Sequence, residues 1–255
     1  MVCLPGWSQA AEQFLPIAEQ LSSEFQVVGV DHRGHGRSSQ PASGYRLHRL
    51  AADVRQVLVD LDLDEVTLLG HSMGVAVVWA YLDLFGTDRV ARLVLADQRP
   101  TLVRQPEWSD ADARLAGGTQ TFAQLEDMCQ RLRSDHGWDT LVEVLGHMVS
   151  PDLPAERLQA LLDTNRPTTN ATRAALWFDQ CTKDWRDLIP TIDVPTLVVH
   201  GLGSMIPIEC QQWVADSIPG AQFATIPAEF GGSHFAFWEN PALFAEIVGA
   251  FLTPG

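Results

Sequence analysis

The segment that most constrains the fold of this chain is the pentapeptide Gly-His-Ser-Met-Gly at residues 70–74. An apolar run at residues 66–69 precedes it and helix-compatible residues 75–80 follow it, so Ser72 falls at a strand-to-helix turn. Glycines on both sides of the serine suit a tight turn with neighbouring chain packed close, where side chains have no room. Such a turn lifts the Ser72 hydroxyl clear of the sheet and makes it a candidate nucleophile.

Composition and charge bound the size of the protein and the partners it can have. With 255 residues and 46% apolar content, the chain can bury a sizeable core, and we expect one α/β core with an insertion. The formal net charge of −15 argues against binding to nucleic acid or to an anionic membrane surface. The four cysteines show neither CxxC nor Cys/His spacing. We therefore expect reduced thiols and a cytoplasmic protein.

No segment suggests targeting to a membrane. No stretch approaches the length of a transmembrane helix, and no basic segment precedes an apolar one at the start of the chain. We therefore expect neither a signal peptide nor a membrane anchor.

Short apolar runs that predict strands alternate with helical patterns. The runs occupy residues 2–4, 27–30, 66–69, 93–95, 196–200 and 223–226. Between them, residues 10–21 are helix-like, and apolar residues from Leu47 to Leu61 recur at steps of three and four, as on one face of an amphipathic helix. This alternation predicts parallel strands joined by right-handed crossover helices, that is, a doubly wound parallel sheet.

The strand pattern stops between residues 99 and 190. That segment reads as several helices and predicts a helical lid between two parts of the core, residues 1–98 and 191–255. A lid over the carboxyl ends of parallel strands lines the pocket in which ligands bind. Its aromatic residues Trp138, Trp177 and Trp185 are therefore candidate pocket residues, as is His71 at the end of its strand.

Ser72 needs a base, and the best candidate is His234. A serine hydroxyl is a poor nucleophile at neutral pH unless a base that is itself oriented by an acid accepts its proton. His234 lies in a glycine-rich loop between the last strand and the last helix, from which it can reach back over the sheet. The sequence therefore predicts His234 as the general base.

The acid is the harder member to place. The turn after the strand at residues 196–200 contains no carboxylate and has Ser204 instead. Asp97 ends the strand that follows the nucleophile, so it projects at the same edge of the sheet, and the order Ser72, Asp97, His234 is typical of this architecture. A structural role for Asp97 in capping the start of the lid competes with this reading. Glu209 is the second candidate acid.

Two backbone amides are candidates for an oxyanion hole. The Met73 N–H lies at the start of the helix after the nucleophile, where an oriented donor and the helix dipole stabilise a developing negative charge. The second donor would come from the loop after the first strand, where Gly6 permits a sharp turn and Trp7 follows. The sequence thus predicts that the amides of Trp7 and Met73 point at one small volume.

These motifs together resemble the α/β-hydrolase superfamily over the whole chain except the lid. The resemblance rests on residues 4–7, 31–38, 70–74, 232–235 and 239–241. It implies that Ser72 is the nucleophile, His234 the base, and Trp7 and Met73 the oxyanion donors. Members usually carry the acid where Ser204 stands, and a minority carry it where Asp97 stands. Members also usually begin with an antiparallel hairpin that is missing here, which implies either a truncated chain or an exposed sheet edge.

The predicted function is that of a serine hydrolase acting on an ester, thioester or lactone with a modest apolar or aromatic part. The expected partner is a small-molecule substrate, and neither a cofactor nor a metal is expected; the oligomeric state stays open. Two alternatives remain on the same scaffold. The Leu-Pro-Gly-Trp loop and the position of Asp97 also resemble cofactor-independent dioxygenases of N-heteroaromatic substrates, although Gln9 and Met73 are not the histidines expected there. A ligand receptor or pseudoenzyme is the other alternative.

Overall fold

A computed structural model describes residues 1–253, which form a six-stranded parallel sheet flanked by helices. The strands are β1 (Val2–Leu4), β2 (Val28–Gly29), β3 (Val66–His71), β4 (Val90–Ala96), β5 (Thr196–Gly201) and β6 (Gln222–Ile226). The helices are α1 (Leu15–Leu21), α2 (Leu47–Asp60), α3 (Met73–Phe85), α4 (Asp110–Ala116), α5 (Phe122–Arg133), α6 (Gly137–Gly146), α7 (Ala155–Asp163), α8 (Asn170–Cys181), α9 (Ile208–Ser217), α10 (Ala236–Glu239) and α11 (Pro241–Leu252). Each apolar run that predicts a strand coincides with one.

The order of strands in the sheet is β2-β1-β3-β4-β5-β6, and every pair is parallel. The chain leaves β1 toward β2 on one side and later continues from β3 on the other. This reversal creates a crevice outside the carboxyl ends of β1 and β3, which is where ligands bind in open α/β sheets. The doubly wound parallel sheet predicted from the sequence is confirmed.

The helices follow the sequence pattern closely, with two differences at their ends. The face of α2 predicted from the apolar spacing is buried at Leu47, Leu50 and Leu58, but Leu61 lies just beyond the last turn and is exposed. The helix-like segment at residues 10–21 starts as a 3-10 turn, Ala11–Phe14, and becomes an α-helix only at Leu15. Pro16 in the first turn of α1 fits this boundary, because its missing N–H would be unpaired there in any case.

The helix α3 after Ser72 is the most buried helix of the sheet layer. All of its residues from Met73 to Leu82 are buried, in contrast to the one-sided burial of α2. A helix that is apolar on all sides requires cover on all sides. Here β1, β3 and α2 pack against it. The nucleophile turn is therefore anchored to a helix that is buried on all sides over its first ten residues.

Five helices, α4 to α8, lie between β4 and β5, where the sequence predicts the lid. Two isolated bridges, Thr101 with Asp184 and Val103 with Gln120, are the β pairings of this insertion within residues 1–253. Helix α8 connects the insertion to the loop after β1, since the Trp7 indole N–H donates to the carbonyl of Arg173 at 2.8 Å. The Arg173 guanidinium in turn donates to Ser8 Oγ at 2.9 Å.

Strand β2 forms one edge of the sheet. It has two residues and pairs only with β1 among the residues that the structure describes. A short edge strand offers few unpaired groups to another chain, which limits the cost of leaving it open. Within the same residues, none of the helices combines the length and the apolar character needed to cross a membrane.

Close packing of α3 on β1 predicts that Gly74→Ala destabilises the protein. A Cβ at position 74 would lie 2.0 Å from the carbonyl oxygen of Leu4, so β1 or α3 must shift, and we expect the free energy of unfolding to fall by about 1–3 kcal/mol. The matched control is Gly146→Ala in α6, where a Cβ meets nothing within 4 Å and helix propensity favours alanine. Denaturant unfolding of both variants is the measurement. Equal midpoints for Gly74→Ala and the wild type would contradict the prediction.

Candidate active site

Ser72 occupies the sharp turn between β3 and α3. Its backbone has φ 52° and ψ −124°, a strained conformation for a residue other than glycine, and its N–H donates to the carbonyl of Ala96 at 2.9 Å. Neither flanking glycine leaves room for a side chain. A Cβ at Gly70 would lie 2.6 Å from the carbonyl carbon of Gly74, and a Cβ at Gly74 would lie 2.0 Å from the carbonyl oxygen of Leu4. The turn thus holds the Ser72 side chain above the carboxyl edge of the sheet.

A chain of hydrogen bonds runs from Ser72 to Asp97 through His234. The Ser72 Oγ lies 3.0 Å from His234 Nε2, and His234 Nδ1 lies 2.5 Å from Asp97 Oδ2. A carboxylate only accepts, so Nδ1 carries the imidazole proton and Nε2 is free to accept from the serine hydroxyl. This arrangement suits a serine whose proton is removed by an oriented base.

Asp97 follows β4 and is almost completely buried. Its backbone adopts a left-handed conformation with φ 55°, and its side chain contacts the end of β5 and the loop that follows β5. There, His200 Nδ1 donates to Asp97 Oδ1 at 2.5 Å and the Ser204 hydroxyl donates to Oδ2 at 2.6 Å. With His234 included, three side chains donate to this one carboxylate.

The donors around Asp97 keep it ionised. Burial by itself raises the pKa of the Asp97 carboxyl, but the hydrogen bonds from His200 and His234 outweigh burial, and the pKa lies well below its ordinary value. A carboxylate that stays negative at neutral pH can hold the His234 imidazole in one orientation and stabilise it when it becomes charged.

Glu209, the other candidate acid, lies away from His234. Its carboxylate forms a two-oxygen contact with the guanidinium of Arg114, with a shortest distance of 2.9 Å, and its side chain is 45% exposed. Glu209 makes no hydrogen bond to His234 in the described part of the chain. The structure therefore brings Asp97, and not Glu209, to the histidine.

The backbone amides of Trp7 and Met73 are free to bind a ligand atom. Neither N–H donates a hydrogen bond to any atom within residues 1–253, although both residues are buried. Met73 is the first residue of α3, so its amide also lies at the positive end of the helix dipole. Unpaired N–H groups in buried positions are uncommon; here Trp7 lines the cleft that contains Ser72, and Met73 directly follows Ser72 in the chain.

A narrow cleft, partly open to solvent, contains Ser72 and His234. The side chains that line it come from the loops after β1, β3, β4 and β5, from the loop before α10 and from the insertion. They are Trp7, Gln9, Ser72, Gln98, Arg99, Leu102, Gln120, Leu145, Met148, Trp177, Gln180, Met205, Ile206 and His234. Trp177 is thus placed where the sequence predicts, and its ring contacts that of Trp7 with centroids 4.9 Å apart.

Trp138, Trp185 and His71, which the sequence makes candidate pocket residues, do not line the cleft that contains Ser72. Trp138 lies under the guanidinium groups of Arg166 and Arg173, at 4.6 and 5.3 Å, inside the insertion. Trp185 packs near Trp79, with ring centroids 6.2 Å apart, on the side of the insertion that faces α3. Trp138 lies on α6 and Trp185 in the connection after α8, and the direction in which each points depends on how the insertion packs, which no local pattern encodes.

His71 contacts the base loop and does not line the cleft. Its Nε2 lies 2.8 Å from the carbonyl oxygen of His234, and its Nδ1 lies 3.1 Å from the side chain of Gln9. Burial lowers the pKa of His71 to about 3, so the imidazole is neutral at physiological pH. It links the backbone of the His234 loop to the loop after β1.

Comparison with known proteins identifies the family. A sequence profile for the alpha/beta hydrolase fold matches residues 1–241. A protein of Synechocystis that is provisionally named a non-heme chloroperoxidase is 32% identical over 229 residues, which cover 86% of this chain and 78% of that protein. The chain belongs to the α/β-hydrolase family.

Solved α/β-hydrolases superpose over almost the whole chain. A bromoperoxidase from Bacillus anthracis is 26% identical with a TM-score of 0.88, covering 98% of this chain and 91% of that one. An esterase from Exiguobacterium antarcticum is 25% identical with a TM-score of 0.87, covering 99% and 91%. These similarities support a hydrolase, and they include both esterases and haloperoxidases.

Sequence reasoning missed four polar residues of this α/β-hydrolase cleft: Gln98, Arg99, Gln120 and Gln180. A signal was available for two of them, since Gln98 and Arg99 directly follow Asp97 at the carboxyl edge of the sheet. Gln120 and Gln180 belong to the insertion, and their position over the cleft depends on how its helices fold back.

Proposed function

We propose that the protein is a serine hydrolase that cleaves an ester, thioester or lactone of a small molecule through an acyl-enzyme on Ser72. The observation that carries this proposal is the hydrogen-bonded chain Ser72–His234–Asp97, with distances of 3.0 and 2.5 Å, beside two unpaired amides. The apolar residues Leu102, Leu145 and Met148, together with Trp177, supply a wall for an acyl chain or an aromatic group.

The reaction proceeds in two halves. Ser72 Oγ attacks the carbonyl carbon while His234 Nε2 accepts the hydroxyl proton, and the carbonyl electrons move onto oxygen, where the amides of Trp7 and Met73 donate to it. The intermediate then expels the alcohol or thiol, which takes the proton from His234. In the second half, water attacks the acyl group by the same path and releases the acid and free Ser72.

Asp97 acts on His234 and not on the substrate. It holds Nδ1–H and offsets the positive charge that His234 acquires when it accepts the serine proton. His200 donates to the other carboxylate oxygen, Oδ1, and helps to keep Asp97 ionised, while Ser204 donates to the same oxygen as His234 and helps to fix the carboxylate in place. Removal of one oxyanion donor typically raises the activation barrier by about 3 kcal/mol. The amides of Trp7 and Met73 are therefore needed for efficient turnover alongside Ser72, His234 and Asp97.

The decisive experiment is covalent labelling combined with substrate screening. We expect a fluorophosphonate to modify Ser72 in the folded wild type, and Ser72→Ala to lose both labelling and hydrolysis of p-nitrophenyl esters or lactones. Mass spectrometry locates the adduct. A well-folded protein that resists the reagent contradicts the proposal. Oxygen uptake with a hydroxyquinolone that survives Ser72→Ala would point to the dioxygenase instead, and tight ligand binding without turnover would point to a receptor.

Asp97→Asn should lower kcat by about 10³- to 10⁴-fold, because an amide at this position can donate to Nδ1 and stabilise the wrong tautomer of His234. Initial rates on the best ester from the screen, with circular dichroism to verify folding, are the measurement. Glu209→Gln is the matched control, since Glu209 is exposed and paired with Arg114; its rate should equal that of the wild type. Near-normal turnover by Asp97→Asn would exclude Asp97 as the acid.

A second candidate activity uses the same acyl-enzyme with hydrogen peroxide in place of water. The names of the Synechocystis relative and of the Bacillus anthracis neighbour favour it. Peroxide attack on the acyl group releases a peroxy acid, which transfers its outer oxygen to bromide and yields hypobromous acid and the carboxylic acid. We expect bromination of monochlorodimedone to need acetate, peroxide, bromide and Ser72 together. Equal bromination by Ser72→Ala or without acetate would contradict this second activity.

A further inference from the structure

Arg99 is a buried cation in the cleft that no carboxylate neutralises. Its residue is 6% exposed and lines the same space as Ser72 and His234. No carboxylate within residues 1–253 lies within 4.0 Å of its guanidinium, although the chain has 32 acidic residues. Burial of a charge without a counter-ion costs free energy. An anionic ligand that binds beside Arg99 would supply the missing counter-ion.

The hydrogen bonds of Arg99 hold it in place and leave part of it unused. Its Nη1 donates to Thr119 Oγ1 at 2.6 Å and, more weakly, to the carbonyl of Gly117 at 3.4 Å. The Nε and Nη2 groups have no hydrogen-bond partner among residues 1–253. An N–H from each of these atoms forms the planar fork with which arginine binds the two oxygens of a carboxylate.

Arg173 shows what a purely structural buried arginine looks like in this fold. It also lacks a carboxylate partner, but all three of its nitrogens donate: Nε to Ser8 Oγ, Nη1 to Asn170 Oδ1 and Nη2 to the carbonyl of Asn165, at 2.6–2.9 Å. Arg173 does not line the cleft. The incomplete hydrogen bonding of Arg99 therefore sets it apart from a guanidinium that serves only to connect the lid to the core.

The carboxylate of Asp97 does not neutralise Arg99, because other side chains already donate hydrogen bonds to it. Asp97 lies two residues before Arg99, but it accepts from His234, His200 and Ser204, and it is more than 4.0 Å from the guanidinium. Burial lowers the pKa of Arg99 from its ordinary value, and arginine remains protonated at neutral pH. The positive charge of Arg99 therefore stays available to a ligand.

Amide side chains surround the same space as Arg99. The Gln98 Nε2 is buried without a hydrogen-bond partner, and Gln120 and Gln180 line the cleft as well. Such neutral donors add hydrogen bonds to an anion without adding charge. One cation with neutral donors matches a singly charged carboxylate better than a doubly charged phosphate.

We propose that Arg99 binds a free carboxylate of the substrate, so that the ester or lactone hydrolysed at Ser72 belongs to a molecule with an acid group elsewhere. This substrate class rests on the proposed hydrolase function. Arg99 holds the acid end of the substrate while the reacting carbonyl lies at Ser72. The guanidinium is a binding residue and takes no proton during the reaction.

The first test compares substrates that differ only in this charge. The mono-4-nitrophenyl esters of succinic, glutaric and adipic acid are assayed beside the corresponding methyl 4-nitrophenyl diesters. For at least one chain length, we expect the wild type to favour the free acid by about tenfold or more in kcat/KM, as for a charge-assisted hydrogen bond. Arg99→Gln should lose that preference mainly through a higher KM, and Arg99→Lys should retain part of it.

The matched control is Arg114→Gln, the same substitution at an exposed arginine that pairs with Glu209. It should leave the ratio of acid to methyl ester unchanged. If the wild type hydrolyses acid and methyl ester equally at every length, or if Arg99→Gln keeps the preference, the proposal is wrong.

The second test does not depend on turnover. Monomethyl glutarate, an anion, should raise the melting temperature of the wild type, whereas the neutral dimethyl glutarate should not, and Arg99→Gln should abolish the difference. Sodium chloride at matched ionic strength controls for binding of any small anion, and equal stabilisation by chloride would overturn carboxylate recognition. Absence of hydrolysis with carboxylate stabilisation of the wild type intact would reject the hydrolase function alone. A wild type that monomethyl glutarate does not stabilise, or an Arg99→Gln variant that it still stabilises, would reject the role of Arg99.

Discussion

Parallel strands that pair in register bring the reacting groups to a common edge. Leu4 lies beside Gly70, His71 beside Ala96, and Ala96 beside Val199, so the residues that follow these strands emerge next to one another. The Ser72 amide even donates to the last carbonyl of β4. Because main-chain hydrogen bonds fix this register, small changes in the lid can alter the cleft without moving Ser72 relative to Asp97.

The position of the acid has a consequence for the neighbouring strand. A carboxylate at position 204 would lie within hydrogen-bond distance of Asp97. Two negative charges at so short a distance in a buried site repel each other strongly. Ser204 and His200 instead donate to Asp97. Ser204, at the position where the family resemblance implies an acid, therefore supports the carboxylate that follows the neighbouring strand β4.

Sequence reasoning reached the residues that lie at strand ends and missed those that depend on helix packing. Ser72, Asp97 and His234 follow or precede short apolar runs, and a parallel sheet converts that linear position into spatial proximity. Trp138 and Trp185 lie in a segment without strand register, where each helix can turn its aromatic residues toward the cleft or toward other helices. The proposed role of Arg99 rests on its lack of a counter-ion among the described residues, and a sequence does not show which charges lack partners.

The net negative charge of the protein opposes the approach of an anionic ligand, and Arg99 acts against this effect inside the cleft. A net charge of −15 repels anionic small molecules at long range, but salt screens this repulsion beyond about 8 Å at physiological ionic strength. A buried guanidinium is screened far less and acts where the acid group must lie. It also faces a site in which Asp97 is already negative and in which, in the proposed reaction, a second negative charge develops on the oxyanion. Under the proposed binding of a carboxylate, Arg99 and the neutral amides around it hold the substrate anion while the α3 dipole acts on the oxyanion, and the substrate supplies the counter-ion that Arg99 lacks among the described residues.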